Sequence, residues 1–338
     1  MRAARAGLRV ALLGLLAACA RPAPLGPPVP PLEGTPGFVT VRADRGPLEA
    51  RLGPVEPSSA LILTYGGEAR GELGPCGCAE TPRGGLPRRA AVEAALAARH
   101  GVDGVLRVHL GGQLDPGRGI DGAPTPVAAA ANPWMLRGLA ATAPAVIALT
   151  APDLDALRAV AEAPALPWVS AHLRGPGVET ERVLTVNGVR VGVTALSTRL
   201  PVAGSEGLGP EPVRAAEAAV ARLRPGVDLV VLLSTGAPEL ARAVVRQGGV
   251  DLVIDAAHHT QVEAPFFVDG ALWVRAPDRT SRLGVLALDL ENGRIVAARE
   301  RRVALDAEVG HDPSVHRLQA GWESAVLAAQ TVRVSSPL

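Results

Sequence analysis

Residues 60–110 read ALILTYGGEARGELGPCGCAETPRGGLPRRAAVEAALAARHGVDGVLRVHL and contain a strand, a helix and a second strand in succession. The apolar run ALILTY at 60–65 suits a buried strand, and LPRRAAVEAALAARH at 86–100 places apolar residues at the i, i+3, i+4 spacing of a helix. GVLRVHL at 104–110 returns to strand. The same alternation continues downstream, with strands at 145–149, 167–173, 228–233 and 251–255 and helices at 132–141, 152–162, 212–224 and 238–247. Residues 182–196 (RVLTVNGVRVGVTAL) form two β-rich runs around Asn187-Gly188, a hairpin signal. After residue 265 the pattern becomes β-rich, with runs at 266–275, 283–290 and 294–304, turns at Asp269-Gly270 and Asn292-Gly293, and a final amphipathic helix over about 312–332. No repeat of fixed period interrupts this order. Alternating strands and helices with added hairpins predict an α/β domain of mixed sheets covered by helices.

Composition narrows the function. Hydrophobic residues are 48% of the 338, enough for a packed core, and charged residues are 20%. All 34 basic residues are Arg, and the formal net charge is +1 without a basic tail, which argues against nucleic acid as a partner. Aromatic residues at 2% leave little for stacking bases.

The first residues carry Arg2, Arg5 and Arg9, followed by an apolar run too short for a membrane span. That run ends Leu16-Ala17-Ala18-Cys19, which resembles the lipobox of bacterial lipoproteins. Residues 1–18 are therefore expected to be a signal peptide, with Cys19 as the lipidated first residue of the mature chain. Ala20 is not the Asp that retains such proteins at the inner membrane, so outer-membrane anchoring facing the periplasm is expected. Residues 19–37 read as a Pro-rich tether, 38–305 as the folded domain and 306–338 as a C-terminal helical extension.

In order and spacing, the segments of 58–305 resemble the metallophosphoesterase domain of the 5′-nucleotidase family, within the calcineurin-like superfamily. Gly84-Gly85-Leu86-Pro87-Arg88-Arg89-Ala90 is similar to the opening of that family's first helix, and Asn187-Gly188-Val189-Arg190-Val191-Gly192-Val193 to its hairpin. Asp228–Ser234 and 251–254 are similar to its two late strands. The resemblance implies a four-layer α/β/β/α sandwich with mixed sheets and two metals at the carboxyl ends of the strands. Such a centre uses about six clustered Asp, His and Asn ligands to activate water. Most of those positions differ here. Glu68 and Arg70 stand where the family has Asp-x-His, Gly111-Gly112 where it has Gly-Asp, and Thr150-Ala151-Pro152-Asp153 where it has Gly-Asn-His-Glu. Thr235 replaces a His, and Ala256-Ala257-His258-His259 keeps only the last His of Gly-His-x-His. Glu68 and His259 remain as ligands of the family pattern, and nucleotidase activity is not expected.

Between the first strand and the first helix stands Pro75-Cys76-Gly77-Cys78, whose cysteines are the only ones besides Cys19. With the Gly-Gly and Arg-Arg that follow, it resembles an exported, 5′-nucleotidase-like subgroup in which selenocysteine can replace a Cys. Gly77 permits a sharp turn that would bring the sulfurs together. Three uses stay open: a thiol redox pair served by a redox partner, a soft-metal site for Cu or Zn with His258 or His259 assisting, or no use, the pair being an inert staple or buried thiols.

Weaker candidates surround this motif. His109 faces the same cleft or packs, and Glu68, His109, His258 and His259 are the candidate metal ligands. Arg83, Arg88 and Arg89 near a helix N-terminus either hold an anion or form a solvated basic face, with Arg89 packing structurally. His100, His172, His311 and His316 are expected at the surface or at helix ends. Beside the thiol or soft-metal reading stand a non-catalytic ligand-binding or envelope-scaffold lipoprotein and a residual metal-dependent phosphoesterase.

Overall fold

The computed structural model describes residues 37–54, 61–75, 82–197, 211–256, 265–277 and 279–335. The chain opens with strand β1 (Phe38–Ala43), a short helix α1 (Leu48–Leu52) and β2 (Leu61–Gly66). Helix α2 (Leu86–His100), β3 (Val105–His109), α3 (Pro126–Thr142), β4 (Val146–Ala148), α4 (Ala151–Arg158) and β5 (Trp168–Val169) follow. A short β6 (Val178–Glu179) precedes the hairpin β7 (Glu181–Val186) and β8 (Val189–Ser197). Then come α5 (Pro212–Leu223), β9 (Leu229–Thr235), α6 (Pro238–Arg246) and β10 (Leu252–Asp255). Strands β11 (Phe266–Val268), β12 (Ala271–Arg275), β13 (Arg282–Glu291) and β14 (Arg294–Ala304) lead to the long helix α7 (Pro313–Ser335).

The strands form two sheets, ordered β1-β14-β13-β2-β3-β4-β5-β6 and β11-β12-β10-β9-β8-β7. Both are mixed: β2, β3, β4 and β5 run parallel, whereas β13 pairs antiparallel with β2 and β14. Leu61, Leu63 and Tyr65 of β2 and Leu229, Val231 and Leu233 of β9 share one buried cluster, so the sheets pack face to face. Side chains alternate across a strand, so Ile62 falls instead in the cluster with Val92 and Leu96 of α2. On the far side Val230 and Leu232 meet Ala219 of α5 and Val244 of α6. The result is the α/β/β/α sandwich expected from the sequence. Burying one such Leu or Val contributes about 1.5–3 kcal/mol, and this double-sided burial explains why the strands read as continuous apolar runs.

The three expected hairpin turns sit at Asn187, Asp269 and Asn292, with φ of 50°, 51° and 52°, each followed by a Gly with positive φ. That pair of left-handed residues is what a two-residue turn needs. Other boundaries moved. Helix α3 starts at Pro126 rather than 132, because the Thr125 hydroxyl accepts the Ala128 N–H at 3.2 Å and Pro126 occupies the first turn. The strand expected over 167–173 is only Trp168–Val169, and α4 ends at Arg158 rather than 162. Helix α7 lies against α3 and α2, and its Trp322 Nε1–H donates to the Gly71 carbonyl at 2.9 Å. Among the described residues no helix is long and apolar enough to cross a membrane.

Candidate functional site

Parallel strands β2, β3, β4 and β5 end at one edge of the first sheet, where a fold of this kind places its chemistry. Glu68 follows β2, is buried, and accepts the Arg70 Nε–H at 2.9 Å. Arg70 itself has φ +50°, and its backbone N–H donates to the Gly112 carbonyl at 2.9 Å. Gly112 has φ +79°, and a Cβ there would stand 2.7 Å from Glu68 Cγ. The backbone of the β3 loop is therefore pressed against the Glu68 side chain, a position open only to glycine.

Asp153, at the start of α4, closes the other side. Its carboxylate accepts the Gly112 N–H at 2.7 Å, the Leu114 N–H at 3.0 Å and the Thr150 hydroxyl at 2.6 Å. Thr150 returns the bond by accepting the Asp153 N–H at 3.2 Å, completing a capping box. Burial pushes the Asp153 carboxyl up, against the hydrogen bonds that favour its ionised form. Glu68 and Asp153 are thus committed to the chain's own groups. Among the described residues no group of three or more His, Cys, Asp and Glu side chains is placed to hold a metal ion.

His109 does not join Glu68. Val108 and Leu110 point into the core between the sheets, so alternation sends His109 to the face covered by α2. There it is fully buried, and burial, with Arg89 second, lowers its pKa well below the ordinary value. The Gln113 side chain lies close enough to favour the charged ring, yet its Nε2 donates to the Gly67 and Leu110 carbonyls. Neither His109 nitrogen has an aligned hydrogen-bond partner among the described residues.

The three arginines separate as well. Arg83 is exposed. Arg88 is buried, with Nη1 donating to the Pro82 carbonyl at 2.7 Å and reaching the Leu305 carbonyl at 3.4 Å. Arg89, also buried, donates from Nε to Glu93 at 2.9 Å and from Nη2 to the Val108 carbonyl at 2.8 Å. Arg88 and Arg89 therefore tie α2 to neighbouring strand ends rather than forming a solvated basic face. His172, expected at the surface or a helix end, is buried at the end of β5 beside Ser170, with Nδ1 3.5 Å from its hydroxyl. Burial, then Arg174, lowers its pKa to about 4. Ser197 and Thr235, which pair in register at the ends of β8 and β9, are buried, and neither hydroxyl has a partner among the described residues. The sequence marked Thr235 as the place of a family His, but nothing marked Ser197. Cys19, Cys76, Cys78, His258 and His259 lie outside the described residues.

No family model matches the chain, and no curated protein matches it. Solved structures do. The sulfate thiohydrolase SoxB of Thermus thermophilus, in complex with glycerol, is 17% identical with a TM-score of 0.65, covering 82% of this chain and 62% of that one. The 5′-nucleotidase of Candida albicans is 10% identical with a TM-score of 0.61, covering 82% of this chain and 60% of its own. The chain thus spans about three-fifths of the length of these structures. At such identity the likeness is one of fold, and in fold the chain is a metallophosphoesterase-type α/β/β/α sandwich.

Proposed function

We propose that this chain is a lipid-anchored envelope protein that uses the metallophosphoesterase scaffold without its two-metal hydrolysis. In its place stands a thiol site formed by Cys76 and Cys78. The observation that carries the reading is the commitment of two carboxylates at the edge of the first sheet: Glu68 pairs with Arg70, and Asp153 is engaged by the Gly112 and Leu114 amides and by Thr150. Recruiting either to a cation would break those bonds, and Arg70 adds a positive charge beside the site. This donor set does not fit a two-metal centre.

The cysteine segment leaves the described chain at Pro75 and re-enters it at Pro82, in the connection from β2 to α2. As a redox pair, one thiolate attacks a disulfide of an exported partner and forms a mixed disulfide, releasing one partner thiolate. The second thiolate attacks that mixed bond, closing Cys76–Cys78 and releasing the other partner thiolate. Two electrons pass to the partner, and the two thiol protons pass to solvent. Alternatively the same sulfurs bind Cu(I) or Zn(II) as thiolates. Lipidation at Cys19 would anchor the protein in the outer membrane facing the periplasm, an oxidising compartment that keeps such chemistry relevant.

Two assays on protein purified from membranes test the proposal. Phosphomonoesterase and nucleotidase activity with Mn²⁺, Mg²⁺ or Zn²⁺ should stay at background. A kcat near the ~10 s⁻¹ typical of enzymes, abolished by a chelator and by His259→Ala, would overturn the first half. Thiol counting with metal analysis should find an oxidised pair or a bound soft metal. Two free thiols without metal, unreactive until the chain unfolds, would mean buried and unused cysteines, and an oxidised pair that no redox buffer reduces would be an inert staple; either refutes the second half.

A further inference from the structure

A small pocket lies between α2, the ends of β2 and β3, and the start of β13, and its lining includes Arg89, His109, Thr280 and Gly66. It is separate in its side chains from the Glu68–Asp153 network. Three polar groups bear on it. His109 is fully buried with neither ring nitrogen bonded among the described residues. The buried Thr280 Oγ1 likewise has no partner among them. Arg89 spends Nε and Nη2 on Glu93 and Val108, while Nη1 lies where a Cβ on Gly66 would be, 2.6 Å away. A buried donor or acceptor without a partner is destabilising, so two such groups on one pocket point to a ligand that satisfies them.

The charge around the cavity selects the ligand. Arg89, Arg279 and Arg282 line it, against a single carboxylate, Glu72. Arg282 is already paired with Asp44 at 3.1 Å, and Arg89 with Glu93, but both carboxylates lie outside the lining. A guanidinium N–H, an imidazole N–H and a hydroxyl are donors that suit several oxygens of one small anion. We propose that this cavity binds a small inorganic oxyanion of the sulfate or phosphate class, held by Arg89, His109 and Thr280.

Sulfate is the probe. Thermal unfolding of the full chain is followed against sulfate at constant ionic strength, for the parent protein, Thr280→Val and His109→Leu. Sulfate also stabilises proteins generally by exclusion from their surface, which grows without saturation and equally in all three. A site instead gives a rise that bends from linear to logarithmic once sulfate exceeds its Kd. The expected result is that bend in the parent, with the sulfate concentration at which it sets in raised at least about tenfold in each variant, where one bonded contact is worth about 1.4 kcal/mol. Crystals soaked in selenate should show the anomalous scatterer between Arg89 and His109. A straight rise common to all three proteins, or selenate bound only elsewhere, overturns the assignment. If one variant does not fold, the other and the selenate position decide.

Discussion

Asp153 Oδ2 accepts the backbone N–H of Gly112 at 2.7 Å, which locks the start of α4 to the loop that follows β3. The same carboxylate holds Leu114 and Thr150, so one side chain fixes the strand-end loops of two adjacent strands. Asp153→Asn keeps the shape but turns an acceptor into an N–H₂ that faces donors. Hydrogen bonds to charged groups contribute about 1.5–3 kcal/mol each, and they share one acceptor here. The variant should lose about 3 kcal/mol in urea unfolding, whereas Thr150→Ala, which removes a cap, should lose about 1. Equal small losses would mean the carboxylate holds nothing.

Gly112 supports the same claim from the other side. Gly112→Asp restores the residue type that the resembled family carries there. It demands φ +79° of a side-chain-bearing residue and drives its Cβ into Glu68. Backbone strain of about 1–3 kcal/mol adds to the overlap, so destabilisation above about 3 kcal/mol is expected. A stable variant that gains Mn²⁺-dependent phosphatase activity would show the ancestral arrangement to be within reach, contrary to the network described.

The pH dependence has a definite sign. His172 titrates near 6.5 when unfolded and at about 4 when folded. Between those values the unfolded chain takes up a proton that the native chain refuses. Stability therefore falls as pH drops from 6.5 toward 4, by at most about 1.4 kcal/mol per pH unit from this residue. His109, lowered by burial and Arg89, acts in the same direction. The contribution of His172 is the difference between the parent and His172→Gln across that window, and parallel curves would refute it.

Much of the sandwich was legible because its strands are buried on both faces and its hairpins carry Asn-Gly or Asp-Gly. Where Pro and short runs intervened, legibility failed. Strand β1 (FVTVRA) pairs with β14, some 260 residues away in sequence, and α1 has only five residues. The first turns of α3 read as loop because Pro126 and Pro133 hid a helix that Thr125 caps. At the site, Glu68 was marked by its place in the resembled motif and His109 by residue type, but most of the contacts that fix the site come from other elements. Arg89 reaches the Val108 carbonyl, Arg88 the Leu305 carbonyl, and Asp153 the Gly112 amide. Those pairings depend on which loops the fold brings to one edge. His172 was misplaced for the same reason: nothing local to β5 announces the layer that covers it.

Membrane attachment rests on Leu16-Ala17-Ala18-Cys19. Cys19→Ser should block processing or release the protein from membranes. Membrane fractionation unchanged by that substitution would remove the lipid anchor from the account.

The central claim is that Cys76 and Cys78 supply the chemistry of this scaffold. Alkylation with mass spectrometry across a redox-buffer series measures it most directly, using the full chain and its Cys78→Ser variant. Ring strain in so short a loop should place the couple above about −300 mV, more easily reduced than a structural disulfide. The account predicts a reversible two-electron transition between these two residues, absent in Cys78→Ser, or thiols protected at every poise by a stoichiometric soft metal that a chelator removes. A pair that stays reduced and metal-free at every poise, or that reacts only after unfolding, would contradict it.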